Sequence, residues 1–225
     1  MSTGFFWKKF VRVFSCVLSF AIVIAIMLYA GVLSSVRVVD ARRKFYFLVS
    51  EDTHVQAGAY DAVLNGGAGY LLDVDGREYV VLAVYLTETE GEIVANSFEK
   101  DVRLLTVGTG KLYFKTREQK KLCGVVESAL SRSYSCMEIL NGEIARLDKG
   151  GTQESSKRIL ETLRGQFSYM GEENKEMYPK FSAVCQNAEK RLATICSDIV
   201  YAKDLRYLQC ELCVSYLELA GEFSL

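Results

Sequence analysis

The sequence predicts an α+β protein in three parts: an N-terminal transmembrane helix, a β-α-β-β-α-β module of ferredoxin-like order, and an antiparallel helical tail. Three observations predict it. Val13 to Val36 is a run of 24 residues without a charge. Between Lys44 and Val107, β-branched and aromatic runs alternate with helix signals. From Arg117 onward, apolar residues recur at spacings of three, four and seven, the period of one helix face. The parts divide as 1–12 (a cytoplasmic N-terminus), 13–36, 44–115 and 116–225.

The first segment is aromatic and basic, with Phe5, Phe6, Trp7, Lys8, Lys9, Phe10 and Arg12. The uncharged run behind it exceeds the ~20 apolar residues that cross a hydrocarbon core. It is also longer than a signal-peptide core of about 7–15 residues. Basic residues flank both ends, Lys8, Lys9 and Arg12 before it and Arg37, Arg42, Arg43 and Lys44 after it. Charge counting therefore leaves the topology open. The expected location is the cell membrane, with the bulk of the chain outside the cytoplasm.

The module opens on Phe45-Tyr46-Phe47-Leu48-Val49, an aromatic and β-branched strand signal. Asp52 or Thr53 caps a helix with Val55, Ala59, Ala62 and Val63 on one face. Asn65-Gly66-Gly67 ends it, because Gly and Asn accept the left-handed conformation of a helix C-terminus. Gly69 to Asp73 is the second strand. Asp75-Gly76 is a hairpin turn signal. Glu78 to Leu86 is apolar on both faces from Tyr79 onward, as a central strand is. Thr87 and Glu90 have capping-box spacing before a helix with Ile93, Val94 and Phe98. Val102 to Val107 closes the unit, with an edge strand at Leu112 to Phe114. This order gives four strands with both helices on one sheet face. The opposite face is expected to be open.

Three amphipathic helices are expected behind the module, over 117–148, 152–170 and 181–219, the third kinked near Ala202. Leu140, Phe167 and Ile195 are expected to be buried together, and Glu143 to be exposed. A helical tail of this kind can also serve self-association or a protein partner.

Composition excludes several functions. The charges nearly cancel, with 27 basic and 28 acidic residues, so nothing points to nucleic acid. His54 is the single histidine, which excludes a multi-histidine metal site. Cys210 and Cys213 have redox-motif spacing but lie inside an apolar helical stripe, where buried free thiols are the ordinary reading. The glycine run at 66–69 closes a helix and opens a strand, the reverse of a phosphate loop. The carboxylates Glu51, Asp52, Asp73, Asp75 and Glu78 lie near turns and could form a paired acid/base site, but turn chemistry explains Asp73 and Asp75. No nucleophile has a base beside it in the sequence. The expectation is a non-enzymatic protein without cofactor or metal.

The aromatic residues of the module suggest binding instead. Of Tyr46, Tyr70, Tyr79 and Tyr85, half are expected in the core and strand alternation is expected to place one or two on the open sheet face. An open sheet face bearing such rings offers a platform for sugars, whose C–H surfaces pack on aromatic faces. Gln56 and Arg77 would add polar contacts.

Glu78-Tyr79-Val80-Val81-Leu82-Ala83-Val84-Tyr85 is similar to the third strand of the bacterial sporulation-related repeat (SPOR) domains, and Val55-Gln56-Ala57-Gly58-Ala59-Tyr60 is similar to their first-strand text. With its uncharged N-terminal run, the chain resembles that family over under a third of its length. The second string departs from the pattern, because here it falls on the first helix. The resemblance implies a non-enzymatic cell-envelope protein that binds peptidoglycan glycan strands in cell division or sporulation. The alternative from the residues is a membrane-tethered assembly protein that acts through its helical tail.

Overall fold

The structure, a computed structural model, describes residues 21–27, 36–50, 55–98 and 102–224. It is α+β, with seven helices and two antiparallel sheets among the described residues. Helix α1 covers 21–27. None of these helices is long and apolar enough to cross a membrane. The N-terminal transmembrane helix expected at 13–36 is corrected on that finding. The rest of that stretch, like Glu51, Asp52, Thr53 and His54, lies outside the described residues.

The elements then run β1 (Arg37–Asp40), β2 (Lys44–Ser50), α2 (Val55–Leu64), β3 (Tyr70–Val74), β4 (Arg77–Tyr85), α3 (Glu88–Ala95), β5 (Val102–Gly108) and β6 (Lys111–Phe114). The helices α4 (Arg117–Asp148), α5 (Gln153–Glu173), α6 (Pro179–Ser197) and α7 (Ala202–Gly221) follow. The main sheet has the order β3-β4-β2-β5, with every neighbour antiparallel. Two crossovers, each through one helix and each passing over one intervening strand, give a split βαβ sheet this strand order.

Local chemistry places the turns. Asp75 and Gly76 have φ of 54° and 76°, the mirror-image turn that matches strand twist, and the Asp73 carboxylate accepts from Gly76 N–H at 3.0 Å. Gly69 has φ +63°, and a Cβ there would lie 2.6 Å from the Ala59 carbonyl, so no other residue fits. The Thr87 side chain accepts from Glu90 N–H at the start of α3.

The sheet face expected to be open is covered. In β2, Phe45, Phe47 and Val49 point towards α4 and α7, and Phe45 meets Tyr134 of α4 and Tyr216 of α7 at 6.4 and 5.4 Å between ring centroids. These residues, with Val81 and Val84 of β4, share one core with the helical tail. Tyr46 and Leu48 point the other way, towards α2 and α3. Thus β2 is buried on both faces, as its uninterrupted apolar run requires. Module and tail are therefore not separate packing units.

The tail differs from expectation at three places. Its third helix is two helices, broken at Asp198–Tyr201. Ile199 and Val200 are β-branched and disfavour helix. Gln153 fixes the break: its side-chain amide donates to the Val200 carbonyl at 2.9 Å and accepts from Val200 N–H at 2.8 Å. Leu140 and Phe167 are fully buried, but Ile195 is half-buried and Leu192 takes the core position. Glu143, expected exposed, is buried and ion-paired to Arg146. That guanidinium also donates to Ser156 Oγ and to the Thr152 carbonyl, joining the end of α4 to the start of α5.

The second sheet pairs β1 with β6. The chain's C-terminal segment clasps it: Tyr113 N–H donates to the Phe223 carbonyl at 2.7 Å, and Phe114 stacks on Phe223 at 4.8 Å. Strand β1 was not legible in the sequence, where Arg37 to Asp40 reads as the flank of the uncharged run.

Candidate functional site

The six residues expected to form a sugar platform do not come together. Antiparallel partners share a sheet face. Tyr46 pairs with Tyr85, while Tyr70 pairs with Val81, and Tyr79 with Leu72. Tyr70 and Tyr79 therefore point towards the helical tail. Tyr70 lies edge-on to Tyr207 of α7 at 5.3 Å, and burial pushes its phenol up to about 12. The Tyr79 hydroxyl accepts from Arg103 at 3.2 Å. Tyr46 is buried beneath α3, where its Cβ lies 3.5 Å from the place a Cβ on Gly91 would occupy. Gln56 is exposed on the outside of α2, and Arg77 is exposed at the hairpin. Of the six, Tyr70 lines a separate hollow of about 170 Å³ against α6 and α7, and Tyr85 lines the main cleft.

That cleft lies on the other face of the sheet, between α2 and α3, and has a volume of about 620 Å³. Short helices create it. Helix α2 has ten residues and α3 has eight, too few to roof the nine-residue β4. Leu48, Leu82 and Ala83 make the floor, Gly58 and Ala62 one wall, Val94 and Phe98 the other. A bulge in β4 helps shape the floor: Leu48 pairs with Ala83 and Val49 with Val81, which leaves Leu82 as the extra residue. Phe98 and Ile93 are both exposed. The sequence placed both on the helix at three- and four-residue spacing, but α3 ends at Ala95, before Phe98, and Gly91 is the residue that packs down. Its missing side chain lets the helix approach the Leu104 methyls, which would lie 2.8 Å from a Cβ.

One end of the cleft is closed by an ion pair. Arg206 of α7 donates to both carboxylate oxygens of Asp148, at 2.7 and 2.6 Å, and to the Gly66 carbonyl at 2.7 Å. This guanidinium ties α7, the end of α4 and the loop after α2 together. Nη2 makes both bonds to the carboxylate, and Nη1 makes the bond to the Gly66 carbonyl. Tyr85 stands beside the pair, and burial raises its phenol pKa despite the cation of Arg206. Its hydroxyl is thus a neutral donor at physiological pH. Asp61, Asn65 and Ser50 supply the rest of the polar rim. A second hollow of about 290 Å³ shares Tyr85, Val94, Asp148 and Arg206, and carries the cleft on between α3 and α4.

Among the described residues, the lining of the cleft contains no imidazole and no thiol. It can bury apolar groups against its floor and orient a polar edge at its rim. The two flanking helices are acidic: α3 carries Glu88, Glu90 and Glu92, α2 carries Asp61, and neither has a basic residue, while Arg206 and Lys149 of the tail line the cleft and its extension. Sequence reasoning missed Arg206 and Asp148, which are 58 positions apart and have no local signal that joins them. All six described cysteines are free and buried. Burial pushes the Cys136 thiol up to about 11 and that of Cys185 to about 12, so they are packing residues rather than nucleophiles. Among the described residues, no group of three or more His, Cys, Asp or Glu could hold a metal ion. Comparison of the chain with protein-family models, with curated proteins and with solved structures finds no match.

Proposed function

We propose that this is a non-enzymatic interaction protein that seats an apolar segment of a basic partner protein in the α2–α3 cleft. The observation that carries this reading is the cleft itself: an apolar floor, exposed Phe98 at its lip with exposed Ile93 at the adjoining hollow, and four carboxylates on the flanking helices. A groove between two short helices suits an amphipathic helix with apolar anchors at one-turn spacing. Acidic flanks favour lysine or arginine beside those anchors and speed the encounter. Arg206 does not cancel this field, because the Asp148 carboxylate is ion-paired to it at 2.6 Å.

A Leu/Lys amphipathic peptide, labelled for fluorescence anisotropy, tests the reading on the full chain. Saturable binding is expected, with about tenfold loss on Phe98→Lys, equivalent to ~1.4 kcal/mol. The matching Leu/Glu peptide should not bind. Equal binding of both peptides, or binding untouched by Phe98→Lys, would sink the proposal.

Glycan binding is a second reading, and it draws support from Tyr85, whose hydroxyl stands among the polar groups of the cleft rim. A sugar would have to lie in this cleft, since the opposite face of the sheet is covered by α4 and α7. Retention on amidase-treated peptidoglycan sacculi, abolished by Tyr85→Ala, would favour it over the peptide reading.

A further inference from the structure

The main sheet has two edges, and they are not alike. The β3 edge has five residues and carries Asp73. The β5 edge has seven, Val-Arg-Leu-Leu-Thr-Val-Gly, with no proline, no bulge against β2 and one charge, Arg103, near its start. Natural edges are ordinarily blunted by lysine, proline, bulges or short length. Strand β5 is long and unbulged instead, and among the described residues no strand pairs with its outer side.

The hydrogen-bond phase of that edge can be read directly. Thr109 N–H donates to the Arg43 carbonyl at 2.9 Å, in line with the register that pairs Gly108 with Lys44 and Val102 with Ser50. In an antiparallel ladder, alternate residues bond to one neighbour. Residues 103, 105 and 107 therefore turn their backbone groups to β2, and Val102, Leu104, Thr106 and Gly108 turn theirs outward.

We propose that β5 pairs with β5 of a second copy, antiparallel about a two-fold axis at Leu105, so that two four-stranded sheets become one continuous sheet. This register sets Val102 opposite Gly108 of the second copy and Leu104 opposite Thr106, so every outward amide and carbonyl of the strand meets a partner. Arg103 falls opposite Val107, and no two like charges face each other. Half-buried Leu105 gains its own copy as an apolar neighbour on one face of the sheet, and half-buried Leu104 lies diagonal to the second Leu104 on the other. Self-complementarity of this kind is what an isologous interface requires. The helical tail leaves room for it, because α7 packs on β4, and α3 is the helix that packs on β5.

The axis makes a sharp test in the full-length chain. Leu105 faces its own copy in a non-hydrogen-bonded pair, with Cα atoms ~4.5 Å apart, close enough for a disulfide. Thr106 faces Leu104, and the two copies of residue 106 lie beyond disulfide reach. Under mild oxidation, Leu105→Cys should give a covalent dimer on non-reducing gels, while Thr106→Cys and the unsubstituted chain should not. Light scattering should give twice the 25.2 kDa chain mass. Thr106→Pro removes an outward donor without touching the β2 ladder. It should restore the single-chain mass and abolish the Leu105→Cys cross-link at an unchanged far-ultraviolet circular dichroism spectrum. A single-chain mass for the unsubstituted protein overturns the proposal. So does cross-linking at 106, alone or alike with 105, or at neither position. A partner strand of another protein on this edge would appear as that single-chain mass.

Discussion

At the scale of single residues, two groups behave against their sequence context. Glu143 looks like a solvated face of α4, yet it is buried against Arg146. Removing one partner of a buried, charge-assisted bond costs about 1–3 kcal/mol. Glu143→Ala should therefore lower the urea midpoint clearly, with Leu140→Ala costing about 2–5 kcal/mol by its cavity. An unchanged midpoint for Glu143→Ala would mean the pair contributes nothing net. The buried thiols and phenols make a pH prediction. Burial raises Cys136 from 9.0 to about 11, Cys185 from 9.0 to about 12, and Tyr216 from 10.0 to about 12. In the unfolded chain these groups ionise at the lower values, so their protonated forms favour the fold fully below pH 9. That contribution is lost as pH rises from 9 through 12. Urea midpoints measured along that range should fall, and a thiol reagent at pH 8 should leave the six buried cysteines unlabelled until denaturant is added.

At the scale of elements, the break between α6 and α7 is the telling case. A sequence stripe runs through it, and only the bend at 198–201 brings α7 back across β4. Gln153 holds the bend through both backbone groups of Val200. Gln153→Ala leaves a buried amide and carbonyl unsatisfied, at about 1–2 kcal/mol. Denaturant titration should show that loss, and hydrogen exchange at Val200 should speed up. The glycines of the module act at the same scale. Gly69→Ala meets both a left-handed φ and a clash with the Ala59 carbonyl, and should cost more than the ~1 kcal/mol of an ordinary glycine replacement.

At the scale of the whole molecule, the sheet and the tail are one folding unit. Phe45, Phe47, Val49, Val81 and Val84 are covered by the helices of the tail. A fragment of residues 36–115 would expose that whole face to water. It should be soluble only as a loosely packed species that binds a hydrophobic dye and shows poorly dispersed amide resonances. A well-dispersed spectrum from that fragment would show the module to be independent of the tail.

Much of the chain's local structure is legible in the sequence because short-range chemistry decides it. The aromatic strand at 45–49, the Asp75-Gly76 turn, the glycine stop after α2, the threonine cap at 87 and the stripes of α4 and α5 all depend on neighbours within a few positions. The cleft was not legible in the same way. Tyr85 was picked out as an aromatic on a strand, but the face it occupies depends on pairing with Tyr46 and on the bulge at Leu82. Arg206 and Asp148 meet only because α7 folds back over the sheet. The burial of Glu143 depends on where α5 starts, and the exposure of Ile93 depends on Gly91 letting α3 sit close to Leu104. Sequence periodicity says which face of an element is apolar, but not which neighbour covers it. Here the tail, rather than solvent or a sugar, covers the second face of the sheet, and that choice is made by long-range packing alone.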